Sequence, residues 1–189
     1  MRDLINYWGT LTYHDPARIL RKLRAIERKL AHVEIDDLVR QLRTNELKKY
    51  REWTDAALFT YGMGLAQGVP MGYATEEAGD YDFVTAWHRD DQQSFCPVQL
   101  KELPPRDRNP TATLEGLLRN LRPAPAPSRT VLAVKLNRAT RLNLKSLALP
   151  PIPFAQLWFF WAAAPDGTRY ALYGDALTMP GQIEFDYPE

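Results

Sequence analysis

The chain has 189 residues and 21.7 kDa, which at roughly 100–200 residues per domain is one domain, with room for a helical extension. Hydrophobic residues at 45% and charged residues at 25% exclude wholesale disorder, and 24 Lys+Arg against 23 Asp+Glu exclude a protein that coats polyanions by bulk charge. The single cysteine, Cys96, excludes an intrachain disulfide and a multi-cysteine zinc site. The start, MRDLINYW, lacks a signal-peptide pattern, and the strongest apolar run, Phe154–Ala164, is too short to span a bilayer. These features lead to the expectation of a cytoplasmic protein without a membrane partner.

Charge is unevenly spread. Eleven basic residues stand against six acidic ones between Arg18 and Glu52, so any nucleic-acid contact must come from such a local patch. A basic run of this kind is also what the solvated face of an amphipathic helix looks like. Ile19, Leu20, Leu23, Ile26, Leu30 and Val33 fall at helical spacing behind an Asp15-Pro16 start. A second helical stripe runs from Asp36 or Asp37 through Leu47, Tyr50, Trp53 and Met63, with a possible break at Thr44-Asn45. It ends at Gly62, Gly64, Gly68 and Pro70.

From Met71 the period changes. Asp82–Trp87 and Phe95–Leu100 read as strands joined by a polar turn over His88–Ser94, with Pro97 placed near a strand start or at an edge. A loop over Pro104–Pro110 leads to a short helix over Thr111–Arg122. The run Pro123–Pro127 is a semi-rigid linker. Thr130–Leu136 is a buried strand. Leu157–Ala163 and Tyr170–Tyr173 flank the turn signal Pro165-Asp-Gly-Thr168. This order predicts an α/β (α+β) chain: a helical extension over 1–45, a core over 46–136, and C-terminal strands over 137–189 that include a β-hairpin.

Alternate residues of a strand share a face, so Gln99 and Lys101 point together and Leu100 away. Asp82 starts the neighbouring strand, and antiparallel pairing brings its carboxylate toward both. A carboxylate, an amide oxygen and the Leu100 carbonyl make an all-oxygen donor set, suited to Mg²⁺ or Mn²⁺ rather than zinc. The alternative is a cross-strand Asp82–Lys101 ion pair with no chemical role. Cys96 reads as a small core residue and His88 as a turn residue near the Asp82 strand. The aromatic run Trp158–Trp161 reads as a buried strand.

The Asp82…Gln99-Leu100-Lys101 arrangement resembles the PD-(D/E)XK nuclease superfamily, whose restriction-endonuclease-like fold has an αβββαβ core. The resemblance covers about Glu46 to Leu136. It implies that Asp82 is the strand acid and Gln99-x-Lys101 the (D/E)-x-K element. Mrr-like and transposon-end branches also carry Gln-x-Lys, whereas the proline that usually precedes the strand Asp is Tyr81 here. The neutral Gln99 makes a further acid necessary: Glu52 on the preceding helix is the first choice and Glu77 its rival, with Glu76 and Asp80 nearby. The resemblance implies hydrolysis of DNA phosphodiester bonds with Asp82, Gln99 and Leu100 holding Mg²⁺ or Mn²⁺, and a homodimer where both strands are cut. The alternative is a decayed nuclease-fold module that binds nucleic acid or a protein partner.

Overall fold

The computed structural model describes residues 2–30, 48–75, 81–121, 129–138, 143 and 147–189. The second predicted stripe before residue 48, its possible break at Thr44-Asn45 and the linker at 123–127 lie outside them. Among the described residues four helices are seen: α1 (Arg2–Gly9), α2 (Pro16–Leu30), α3 (Lys48–Gln67) and α4 (Leu114–Arg119). Seven strands follow chain order: β1 (Met71–Thr75), β2 (Phe83–Arg89), β3 (Gln92–Leu103), β4 (Val131–Leu136), β5 (Gln156–Ala162), β6 (Arg169–Gly174) and β7 (Gly181–Asp186). The chain is thus mixed α+β. No helix among the described residues is long and apolar enough to cross a membrane.

The local reasons for these elements are visible. The Asp15 carboxylate accepts the Ala17 and Arg18 amides, capping α2 behind Pro16 as the sequence indicates. Gly68 closes α3 at a φ of 65°, where a side chain would be strained. The β2–β3 turn is tighter than the polar stretch suggested. Asp90 and Asp91 both take positive φ, a two-residue turn that lets the strands run on to Arg89 and Gln92. Asp166 accepts the Thr168 amide and hydroxyl in the turn between β5 and β6.

The strands form one sheet in the order β1-β2-β3-β4-β5-β6-β7. Pairing is antiparallel from β1 to β3, parallel from β3 to β5, and antiparallel from β5 to β7. Three elements escaped the sequence reading: α1, β1 and β7. The C-terminal strands are also not a separate hairpin, because β5 pairs directly with β4 and extends the sheet. Pro97 lies inside β3 rather than at its start. Its tolerance has a simple cause: β3 directs Val98 toward β2, where its carbonyl accepts the Asp82 amide, so Pro97 faces the β4 side. The ladder with β4 begins only at Val98, so no hydrogen bond is lost there.

The sheet buries apolar side chains on both faces. On one face Phe83, Val98, Val131, Ala133 and Phe160 pack against Leu20 of α2 and Ala56–Phe59 of α3. The sheet curls around α3, which touches β1, β3, β6 and β7. On the other face Leu103, Leu132, Val134 and Phe159 pack against Leu114 and Leu118 of α4. α1 covers the β2–β3 end of that second face, where Trp8 meets the Phe95 ring at 6.4 Å.

Close packing at the β6 end supplies a test. A Cβ at Gly174 would lie 2.5 Å from the Trp158 ring and 2.9 Å from the Leu157 carbonyl. Gly174→Ala is therefore expected to lower unfolding free energy by about 1–3 kcal/mol. Urea denaturation would check this, and an unchanged midpoint would contradict it.

Candidate functional site at the β2–β3 fork

β2 and β3 pair from Arg89–Gln92 down to Phe83–Val98, where the strands part. Beyond this point β3 continues to Leu103 in register with β4 alone. The result is a fork, and Asp82 sits at its apex. Its amide donates to the Val98 carbonyl at 2.9 Å, and its Oδ2 accepts the Leu100 amide at 2.6 Å. One N–H group of the unpaired edge of β3 is thereby satisfied by a side chain instead of a strand.

Register decides what shares the fork. Val98 faces α3, so Gln99 and Lys101, which alternate with it along β3, point to the opposite face, while Asp82 lies just before β2 and turns its carboxylate to the Leu100 amide at the strand edge. Leu100 turns its side chain toward α3. Its main chain is directed at Asp82, and in an extended strand the carbonyl of a residue points the same way as its amide. The Leu100 carbonyl is therefore aimed into the fork as well. Asp82 is exposed, and Gln99 and Lys101 are half-buried. Tyr81, one residue before, receives the Trp8 indole N–H on its hydroxyl at 2.9 Å, which anchors α1 beside the fork.

The ion pairs among the described residues do not join Asp82 to Lys101, so the purely electrostatic reading of that pair has no support. α3 packs on the α3-facing side of the sheet, whereas Gln99 and Lys101 project from the other. Glu52 lies near the N-terminal end of α3, next to Arg51, which stands 3.8 Å from Glu102 of β3. Its rivals Glu76, Glu77 and Asp80 lie outside the described residues. His88 is at the far end of β2 from Asp82, opposite Gln93. Burial pushes the Cys96 thiol up to about 11, which leaves no thiolate near neutral pH.

A second polar cluster was missed by the sequence reading. Asp55 of α3 is buried and meets Lys135 of β4 at 2.5 Å. Glu102 of β3, in register with Lys135, lies 3.8 Å from Arg51 and accepts the Asn137 amide at 2.9 Å. Burial opposes the charge on Lys135, but the Asp55 carboxylate more than offsets it and holds the lysine above its ordinary value. Burial also raises the Asp55 carboxyl, against the pull of Lys135. The available signal was a lysine inside the apolar run Val131–Leu136, since a buried cation requires a partner.

The fork donors match a hard divalent cation in kind: all are oxygen. Among the described residues they are poor in charge, because one oxygen of the Asp82 carboxylate already accepts an amide and Gln99 is neutral. Among the described residues no group of three or more His, Cys, Asp or Glu could hold a metal ion. Comparison with protein-family models, with curated proteins and with solved structures found no match.

Proposed function

We propose that this chain is a metal-dependent nuclease of the PD-(D/E)XK kind, hydrolysing DNA phosphodiester bonds. One observation carries the reading: the Asp82 carboxylate is held on the Leu100 amide, between Gln99 and Lys101 of β3, where β2 leaves β3. The chain order around them supports it. A helix (α3), three antiparallel strands (β1–β3), a helix (α4) and a strand parallel to β3 (β4) follow the αβββαβ sequence of that fold.

On this reading Asp82, the Gln99 amide oxygen and the Leu100 carbonyl would hold Mg²⁺ or Mn²⁺. Bound there, the ion supplies Lewis acidity toward a phosphodiester and lowers the pKa of its water. The protein's own part is positional. The Leu100 amide fixes the Asp82 carboxylate, so that its other oxygen is presented to the fork. Lys101 places an ammonium beside the scissile phosphate and offsets the charge that develops on it. DNA is the partner, a homodimer supplies two sites for double-strand cutting, and the chain acts in the cytoplasm.

The charge-poor donor set favours a second reading: a nuclease-fold module that has lost catalysis and binds nucleic acid or a protein. Incubating the full chain with plasmid and single-stranded DNA and Mg²⁺ or Mn²⁺ separates the two. Metal-dependent cleavage that falls at least about a hundredfold in Lys101→Ala is the expected outcome. Cleavage that persists in Lys101→Ala, or is absent with both metals, assigns the fork to the second reading.

A further inference from the structure

The opposite end of the same strands holds a cavity of about 320 Å³ that the fork chemistry does not use. It opens beneath the C-terminal end of α3, where β2 ends and β4 and β5 begin. Phe59, Met63, Met71, Val98 and Val131 make its walls apolar, and Trp87 stands at one side. Its size is at the small end of ligand cavities, which run to about 300–1,000 Å³.

The rim has a different character. Arg89 and Arg129 line it and are exposed, and no carboxylate is among the lining residues. Arg89 is held over the opening by a 3.3 Å hydrogen bond from its guanidinium to the Gln67 carbonyl. Among the described residues neither arginine enters an ion pair. Gln156 also lines the rim. Its side-chain oxygen accepts the Trp158 indole N–H at 3.0 Å, which leaves its NH₂ as the end available to a ligand. The opening is therefore lined by donors and positive charge, and the interior by hydrocarbon and aromatic surface.

An apolar chamber with a cationic rim selects a molecule of the inverse pattern. We propose that this cavity binds a small amphipathic anion, a medium-chain monocarboxylate, with its carboxylate between Arg89 and Arg129 and its alkyl chain among Phe59, Met63 and Val131. Two guanidiniums give charge-assisted hydrogen bonds to the head group. Burial of the chain contributes in proportion to the apolar area removed from water. The binding is independent of the nuclease reading, since Arg89 and Asp82 occupy opposite ends of β2.

Octanoate, kept below its micellar concentration, would be titrated into the full chain by calorimetry, with tryptophan fluorescence as a second signal from Trp87. Saturable binding is expected, about tenfold or more tighter than that of 1-octanol or octyltrimethylammonium. The surface variant Arg89→Gln/Arg129→Gln should lose about tenfold in octanoate affinity while keeping its circular dichroism and its binding of 1-octanol. Equal affinities for the three amphiphiles, an unchanged affinity in the double variant, or no saturable heat with octanoate would each overturn the proposal.

Discussion

Lys135→Met is expected to cost about 3–5 kcal/mol of unfolding free energy, a large share of the roughly 5–15 kcal/mol that holds a domain folded. The methionine keeps the unbranched stem but leaves Asp55, 6% exposed, as a buried carboxylate without its cation. Removing both ends should be far milder. Asp55→Leu/Lys135→Met is expected within about 2 kcal/mol of the parent, because two well-packed apolar groups avoid the desolvation that the pair incurs. The pH dependence has a definite sign. In Lys135→Met the folded-state pKa of Asp55 stands above its unfolded value, so the folded state holds more protons and stability falls as pH rises from about 4. In the parent, the contribution of Lys135 is complete below its ordinary value of 10.5 and is lost as pH rises beyond it. Urea unfolding of the parent, the single and the double variant at pH 5 and pH 8 would check all of this. A double variant as unstable as the single one, or a single-variant deficit that shrinks toward pH 8, would contradict it.

That cluster also shows how far a sequence carries. Periodicity found α2, α4, β2, β3, β4 and the β5–β6 hairpin, because each presents an apolar face at a regular spacing or a strong turn signal. α4 is capped by Thr113, whose hydroxyl accepts the Gly116 amide at 3.0 Å. β1 was invisible because Met71–Thr75 has no alternating run and is stabilised by its neighbours, whereas β7 carried a signal that was overlooked, the polar–apolar alternation of Gln182–Asp186 that turns Ile183 and Phe185 inward. Gln99 and Lys101 were legible as one face of β3, since alternation is a property of the strand itself. Which face α3 covers was not, because that depends on how the sheet curls around Ala56–Phe59. The Asp55–Lys135 contact, 80 residues apart in sequence, went unseen for this reason.

Gln99→Glu should convert the fork into a stronger cation site, and it resolves the charge question directly. The substitution adds a second carboxylate one residue from Leu100, whose amide holds Asp82, on the face of β3 that carries Lys101. Without metal, two like charges on paired strands destabilise the fold by about 0.2–1 kcal/mol. A divalent cation reverses that sign, because ligand charge count sets the affinity of an oxygen site. The apparent Mg²⁺ affinity of Gln99→Glu is therefore expected to exceed the parent's by about tenfold or more. Because a ligand that binds only the folded state raises stability with its concentration, the thermal midpoint of the variant should climb with millimolar Mg²⁺ more steeply than that of the parent. This readout does not depend on catalysis, so it tests the metal site separately from the nuclease activity. Adding Asp82→Asn to Gln99→Glu should return the Mg²⁺ response to the parent's level or below, since the number of carboxylates is then the same as in the parent. Cleavage, where present, should need less Mg²⁺ in Gln99→Glu and still be lost with Lys101→Ala. A thermal midpoint of Gln99→Glu that ignores Mg²⁺ and Mn²⁺ would remove the metal from this fork and leave the binding-module reading in its place.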